Sequence, residues 1–412
     1  MGDTAPASAS ADADARFAAT KSMFTLPKEM VAYMDGNSLG PLPAAALARL
    51  SSTVTQEWGT MLISSWNKAG WMAQPNALGD RIARLIGAAP GTVTVGDTLS
   101  IRVYQCLAAA LRMRPGRKVV LSDSGNFPSD LYMASGLIEL LDDAHELRLV
   151  PPEALESSVD ETVAVVMCTE VDYRTGRLHD VKRLVEAAHA RGALAIVDLA
   201  HTAGACEVDV AGAGADFAVG CTYKYLNAGP GAPAFIYVAP EHLGTAPTAL
   251  QGWLGHAKPF EFSLEYAPAE GISRFRVGTP PVLQMACLEA ALDVFDAAPP
   301  MAAVRRRSVE LSEQFIGGVE ARCPMLTLAS PRDPEERGSQ VSFRFEEAYA
   351  VVQALIARGV VGDFRAPDMM RFGFTPLYLD AGDVGRAVDV LAEVMEKRLW
   401  DQEHLKRKSF VT

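Results

Sequence analysis

Lys224 stands where an amine can act as a nucleophile. The apolar run Phe217 to Cys221 ends in Thr222-Tyr223-Lys224, a turn rich in Gly and Pro follows, and a second apolar run spans Ala234 to Val238. Lysine is seldom fully buried unless it is paired or used. One use is an imine with an aldehyde cofactor, formed by a desolvated amine. A surface lysine after an edge strand fits the same spacing, so the choice rests on what converges on it. Asp198 ends the run Ala193 to Asp198, and His201 follows closely. Thr169 follows the run Val163 to Cys168, and Phe127 and Asp130 follow Lys118 to Ser122. Thr98-Leu99-Ser100 opens an apolar helix. Pyridoxal phosphate, an aldehyde that stores electrons, needs an amine and a carboxylate facing its pyridine nitrogen. Lys224 and Asp198 are the candidates. It also needs a ring on its face, for which Phe127 is suited, and a phosphate cradle at a helix start, for which Leu99 and Ser100 are suited. An amino-acid substrate adds a demand for a bidentate cation, and Arg371, in an otherwise apolar stretch, meets it. Each residue also has a plain structural reading: Phe127 as a core aromatic, Asp130 as a first-turn acid, Thr169 as a cap, His201 as a satisfied histidine. Their joint placement on one rim favours chemistry.

The rim needs a scaffold, and the pattern supplies one. Between about Val93 and Val238 apolar strand-like runs alternate with helical spacing, including helices over Pro128 to Leu141 and Val181 to Ala190. Continuous apolar strands alternating with helices predict an α/β fold with a mainly parallel sheet covered by helices. In such sheets ligands sit beyond the carboxyl ends of the strands. No GxGxxG follows the first strand and no GxxxxGK[ST] occurs, so dinucleotide and P-loop readings lack support. Tyr33 to Pro41 is dense in turn formers and predicts a loop, and a helix is expected from Ala44 to about Trp58. Trp66 and Trp71 flank a glycine, as a packing corner or as a wall for a flat ligand. A helix from Val282 to about Phe295 leads to Ala297-Ala-Pro-Pro300, read as a domain joint. Beyond it a smaller α+β domain is expected, with helices at 304–321, 349–358 and 384–398 and strands at 339–345 and 360–364. The domain reading is a disordered tail over 1–22, an N-terminal segment over 23–70 packing on the small domain, a large cofactor-binding domain over 71–298 and a small domain over 299–412.

Composition narrows the class. The chain has 412 residues, 49% hydrophobic and 21% charged, with a net charge of -12. That balance disfavours nucleic acid or an anionic membrane as the main partner, since both need a basic face. The six cysteines form no CxxC pair and mostly sit in apolar runs, the usage of a reduced, cytoplasmic protein. No apolar stretch of about 18 residues would span a bilayer. No metal site is expected.

Together these motifs resemble the kynureninase family, pyridoxal-phosphate-dependent hydrolases of the type I aminotransferase fold. The resemblance covers nearly the whole chain after about Phe24. It is carried by Asp35-Gly-Asn-Ser-Leu-Gly40, Ser65-Trp-Asn-Lys-Ala-Gly-Trp71, Asn126-Phe-Pro-Ser-Asp130, Tyr173-Arg-Thr-Gly176, Val197-Asp-Leu-Ala-His201, Thr222-Tyr-Lys-Tyr-Leu-Asn227, Gly252-Trp-Leu-Gly-His256, and Arg371 before Thr375-Pro-Leu-Tyr378. It implies hydrolysis of L-kynurenine, or its 3-hydroxy derivative, to anthranilate or 3-hydroxyanthranilate and L-alanine. It implies Lys224 as the imine lysine, Asp198 on the pyridine nitrogen, Phe127 stacked on the ring, and Asp130, His201 and Thr169 beside it. Leu99, Ser100, Tyr223 and Trp253 would hold the phosphate. Thr279 would complete that region from a second subunit of a homodimer. Asn37, Trp66, Gly278, Thr279 and Arg371 would meet the substrate, and Tyr223 would relay a proton. The implied setting is tryptophan breakdown or nicotinamide synthesis.

The pattern departs from the family at two positions. Arg102 stands where Asn is usual, near the phosphate, and Leu254 replaces Phe in Gly-Trp-Phe-Gly-His. Trp66, Gly278 and Thr279 resemble the bacterial pattern that prefers unhydroxylated kynurenine. Rival readings are a cysteine desulfurase or aminotransferase of the same fold, or a non-catalytic cofactor-binding homologue. A desulfurase needs a thiol on a mobile loop, and Cys323, beside Pro324, reads instead as a packing cysteine.

Overall fold

The computed structural model describes residues 5–141 and 145–408. Its centre is a seven-stranded sheet among the described residues. In chain order the strands are β1 (Val93–Val95), β2 (Val119–Asp123), β3 (Glu146–Val150), β4 (Val163–Thr169), β5 (Leu194–Asp198), β6 (Phe217–Gly220) and β7 (Phe235–Val238). They lie side by side in the order β1, β7, β6, β5, β4, β2, β3. Strand β7 pairs antiparallel with both its neighbours, and the other pairs are parallel. Every residue of β2, β4, β5, β6 and β7 is buried, as expected of strands covered on both faces. The helices at 99–113 and 128–141 pack on one face, with Val103, Leu107 and Leu137 against Val120, Val165 and Ile196.

Register is what matters for function. Thr169 lies opposite Asp198, Asp198 opposite Val219, and Ser122 opposite Met167. The carboxyl ends of β2, β4, β5 and β6 therefore form one edge, and the turn carrying Lys224 leaves from it.

A second sheet has four antiparallel strands: β8 (Thr327–Leu328), β9 (Gln340–Arg344), β10 (Asp363–Arg365) and β11 (Met369–Gly373), in the order β8, β9, β11, β10. Its helices, 301–322, 348–356 and 381–396, close on a phenylalanine core. Phe315 meets Phe372 at 4.9 Å and Phe374 at 5.4 Å between ring centroids. The single strand expected over 360–364 is broken at Gly362. Val360–Val361 pairs in parallel with Ala32–Tyr33, while Asp363 starts β10. Only glycine fits at the break, where a Cβ would lie 2.7 Å from the Arg371 carbonyl oxygen.

Two further expectations are corrected. The Ala/Ser/Asp-rich start, expected to be disordered over 1–22, forms a helix over Ala5–Ser22 (α1), with residues 1–4 outside the described residues. Alanine is the best helix former, and tertiary contacts hold the helix down. Phe17 is buried under the Arg307 guanidinium, Arg16 donates to the Ala297 and Ala298 carbonyls, and Lys21 pairs with Asp380 and Asp383. The helix expected over 44–58 is α-helical only over Ala44–Ser52, and Thr53–Met61 continues as a wider π-helix. That run contains Thr53, Val54 and Thr55, β-branched residues that crowd a regular helix.

Candidate active site

The Lys224 turn is fixed from three sides. Thr222 Oγ1 donates to the Pro233 carbonyl at 2.6 Å, the Asn227 amide donates to the Lys224 carbonyl at 2.9 Å, and the Gly40 amide donates to the Tyr223 carbonyl at 2.8 Å. The loop expected over 33–41 is thus the brace of the lysine turn. Only glycine fits at its contact point, because a Cβ on Gly40 would lie 2.4 Å from both the Lys224 carbonyl oxygen and Asn227 Oδ1.

Held this way, Lys224 is buried and its Nζ lies 3.0 Å from His201 Nε2. It also sits 5.8 Å from the Phe127 ring centroid and 5.9 Å from the Tyr223 ring. Burial, then the charges of Lys224, Arg371 and Arg365, hold His201 well below the usual histidine range. The imidazole is therefore neutral and its Nε2 can accept from the amine. Its Nδ1 is buried without a partner.

Asp198, at the end of β5, accepts the Ala200 amide at 2.8 Å. It also shares a hydrogen bond with Asp130. Burial raises both carboxyls, and the Asp198 charge raises Asp130 further, while Lys224 opposes the rise at Asp198. Two facing carboxyls cannot both ionise in a buried site. Asp130 holds the proton and donates; Asp198 keeps the charge. Asp130 Oδ2 is left buried and unpartnered. Thr169 Oγ1 donates to Asn126 Oδ1 at 2.5 Å, and the same oxygen accepts the Phe127 amide at 2.7 Å. Asn126 thereby couples β4 to the loop that carries Phe127.

Ser100 sits at the start of the 99–113 helix, whose N-cap Thr98 makes no side-chain cap bond. Its Oγ lies 3.0 Å from Ser129 Oγ, at the start of the 128–141 helix. Two helix N-termini with a hydroxyl each thus meet beside Leu99, an arrangement that favours an anion. Tyr223 is held above the usual tyrosine range by burial, then by Cys221 and Asp198, so its phenol keeps its proton.

Arg371, on β11, is almost wholly enclosed. Its Nε donates to Asp363 Oδ1 at 2.7 Å, Nη2 donates to Asp363 Oδ2 and to Ser38 Oγ at 3.0 Å, and Nη1 donates to the Tyr173 carbonyl. Tyr173 in turn sets its ring edge-on against Phe127, 5.2 Å between centroids. Arg371 is thus two contacts from the ring that faces Lys224. Asn37 is fully buried, and neither of its amide atoms has a partner. A Cβ on Gly373, two residues along from Arg371, would lie 2.5 Å from Asn37 Oδ1.

Sequence reasoning missed Asp363, Arg365, Ser38 and Asp35 in this cluster. Arg365 Nη2 lies 2.9 Å from Asp363 Oδ2. Burial, then the Asp363 charge, pushes Asp35 up to about 7. The available signal was the pair of charges in apolar surroundings on either side of Ala366-Pro367, which the β10–β11 hairpin sets directly opposite each other.

Trp66 and Trp253 meet edge to face at 6.3 Å, with Trp71 and Phe260 extending the same aromatic group. Gly278 and Thr279 are exposed, on a loop beside Gly96, Asp97 and Arg102. No hydrogen bond or ring contact joins them to Lys224 among the described residues.

The C-terminal part, residues 304–391, matches the family model described as Kynureninase C-terminal domain. A kynureninase of Pseudomonas fluorescens is 48% identical over 408 residues, covering 97% of this chain and 98% of its own. The chain belongs to the kynureninase family. A kynureninase of Deinococcus radiodurans is 50% identical over 393 residues, covering 94% of this chain and 95% of its own. Solved structures with the same fold are more distant. A cysteine desulfurase of Escherichia coli has a TM-score of 0.77 at 19% identity, covering 92% of this chain and 98% of its own. A C-DES structure with glycine covalently linked to its PLP cofactor has a TM-score of 0.75 at 18% identity, covering 88% and 96%. These likenesses support the type I fold.

This family member's two departures have structural accounts. Arg102 is buried: Nε donates to the Gly96 carbonyl at 2.9 Å, and Nη1 donates to Gln105 Oε1 and the Phe275 carbonyl, both at 2.7 Å. It ties the turn before the Ser100 helix to the 271–275 segment. Three of its five donors are spent on carbonyls and its Nη2 faces the Asp97 carboxylate at 3.7 Å, so it serves packing. Leu254 is buried as well. Its turn lies so close on the 274–277 backbone that a Cβ on Gly252 would be 2.0 Å from the Val277 carbonyl oxygen. The change from Phe to Leu therefore falls between two packed loops.

Proposed function

We propose that this chain hydrolyses L-kynurenine to anthranilate and L-alanine with pyridoxal phosphate as cofactor, and accepts the 3-hydroxy derivative less well. The observation that carries the reading is the Lys224 amine, buried between the neutral His201 and the Phe127 ring, with the one-proton Asp130/Asp198 pair on the same edge. The residues fit the cofactor on their own chemistry. Lys224 would carry it as an imine, and Asp198, the ionised member of its pair, would face the ring nitrogen. Phe127 would cover one face, with Asp130, Thr169 and His201 beside the ring. Leu99, Ser100, Tyr223 and Trp253 would take the phosphate. Bound there, pyridoxal phosphate supplies an electron sink for charge developing at the substrate Cα.

The chain's own residues do the rest. Lys224, the one amine at the site, removes the Cα proton and holds it. Asp198 keeps its negative charge because Asp130 retains the shared proton. Tyr223 keeps its phenol proton until it can be delivered at the side-chain ketone as water adds. Cleavage of the Cβ–Cγ bond then releases anthranilate, and L-alanine follows. Arg371 and Asn37 would bind the substrate carboxylate, and the Asn37 amide, buried without a partner, is a donor in need of an acceptor. Trp66, Gly278 and Thr279 would face the aromatic end.

A homodimer suits this arrangement, because Gly278 and Thr279 are exposed and no hydrogen bond joins Thr279 to Ser100, Tyr223 or Lys224 among the described residues. An apolar groove of about 610 Å³ by the 39–43 loop, next to the exposed Leu39 and Leu42, offers a surface for a second copy. Six free cysteines, five of them buried, suit the reducing cytoplasm. No helix among the described residues is long and apolar enough to cross a membrane. A desulfurase reading is disfavoured: Cys323 is fully buried at the end of its helix.

Anthranilate release from L-kynurenine, followed by fluorescence, tests the proposal. Lys224→Ala should abolish it. Release at the parental rate would remove Lys224 from the mechanism.

A further inference from the structure

Arg371 cannot by itself grip a carboxylate in the two-pronged way its type suggests. A guanidinium has five N–H donors. Two of Arg371's go to Asp363, one to Ser38 and one to the Tyr173 carbonyl, which leaves one. The side chain is also closed off, at 1% exposure. Arg365 has more to give: Nη1 donates to the Phe364 carbonyl at 2.8 Å and Nη2 to Asp363 Oδ2 at 2.9 Å and Ser38 Oγ at 3.4 Å, which leaves two N–H donors. It lies two residues from Asp363 on β10, so it projects from the same face, and it shares Asp363 Oδ2 with Arg371. Its side chain is 36% exposed. Its charge acts on His201 and Tyr223, the two residues flanking Lys224.

Charge balance points the same way. Two guanidiniums face the single Asp363 carboxylate, and the neighbouring Asp35 is drawn towards its neutral form. Below about pH 7 the cluster therefore holds close to one uncompensated positive charge. Its more accessible part is Arg365.

We propose that Arg365 is a specificity-determining residue that binds the α-carboxylate of the amino-acid substrate together with Arg371. This rests on the amino-acid substrate proposed above. Arg371 fixes Asp363 and backs the site from within with its one unspent N–H, and Arg365 supplies the exposed cationic contact that a carboxylate needs.

The test compares L-alanine with L-alaninamide, its uncharged and nearly isosteric carboxamide, binding to the pyridoxal-phosphate-loaded enzyme by calorimetry. In Arg365→Gln the Kd for L-alanine should rise about tenfold, the worth of one charge-assisted hydrogen bond, while that for L-alaninamide stays within about twofold. Arg365→Lys should recover part of the preference. A purely structural role would weaken both ligands together, so an unchanged ratio of the two Kd values in Arg365→Gln overturns the proposal. If Arg365→Gln does not fold, the same ratio in Arg365→Lys decides: an undiminished preference for L-alanine overturns it, and a reduced one supports it. A parent enzyme that binds L-alanine but releases no anthranilate from L-kynurenine would sink the proposed reaction and leave this test standing.

Discussion

Replacing Asp35 by Asn should remove a pH dependence that the Arg371 cluster creates. Asp35 is pushed up to about 7, first by burial and then by the Asp363 charge, against Ser38, Arg371 and Arg365, which favour ionisation. Tyr33 also faces the group, and burial keeps its phenol protonated. The sign follows from linkage. A carboxyl whose folded pKa lies above its unfolded value stabilises the fold fully below the unfolded value, and that stability is lost as pH rises towards the folded one. At about 1.36 kcal/mol per pH unit, the rise from about pH 5.5 to about pH 7 costs about 2 kcal/mol, with little further change to pH 8.5. Asparagine keeps the shape and cannot ionise. Urea unfolding at about pH 5.5 and about pH 8.5 should show the parent losing about 2 kcal/mol more than Asp35→Asn. The substrate should report the same event. Ionised Asp35 cancels the positive charge that meets the carboxylate, so KM for L-kynurenine should climb above about pH 7 in the parent and stay flatter in the variant. Equal pH dependence of stability in the two proteins would refute the placement of that proton.

The Asp130/Asp198 pair predicts an asymmetry. Asp130→Asn keeps a neutral hydrogen-bond donor and should hold kcat within about tenfold of the parent, whereas Asp198→Asn removes the pair's negative charge and should cost at least about a hundredfold; equal losses in steady-state assays would contradict the proton assignment. Gly40→Ala places a methyl group against the Lys224 carbonyl. It should lower stability by about 1–3 kcal/mol and weaken cofactor retention, read by unfolding and by visible absorbance after dialysis; normal values for both would show that the loop yields.

Much of the site could be read in the sequence because it lies at strand ends. Uninterrupted apolar runs gave away β4, β5 and β6, and the residues that end them share an edge whenever parallel strands pair in register. Asp198, Thr169 and Lys224 were legible for that reason. The Asp363–Arg365–Arg371 cluster was not, because it depends on which residues stand opposite each other across a hairpin. The β11 strand carrying Arg371 escaped for the same reason. Helix α1 looked like a polar tail because its support comes from Phe17 under Arg307 and Arg16 on Ala297, contacts far away in sequence. Which carboxyl of a pair keeps the proton is likewise invisible until both are buried side by side.

The break at Gly362 has a consequence for how the protein is made. Val360–Val361 pairs with Ala32–Tyr33, and Ser38 bonds Asp363 across 325 residues of chain. Contacts of such separation form late, because the loop they close must be ordered before they repay its entropy. The segment that braces Lys224 leaves the ribosome early, and it waits for nearly the whole remaining polypeptide before its second partner exists. Until then Ser38 has neither Asp363 nor Arg371 to bond, and the carboxylate site proposed around Arg371 has no floor. On the proposed reading, recognition of the substrate carboxylate is thus among the last properties the nascent chain acquires.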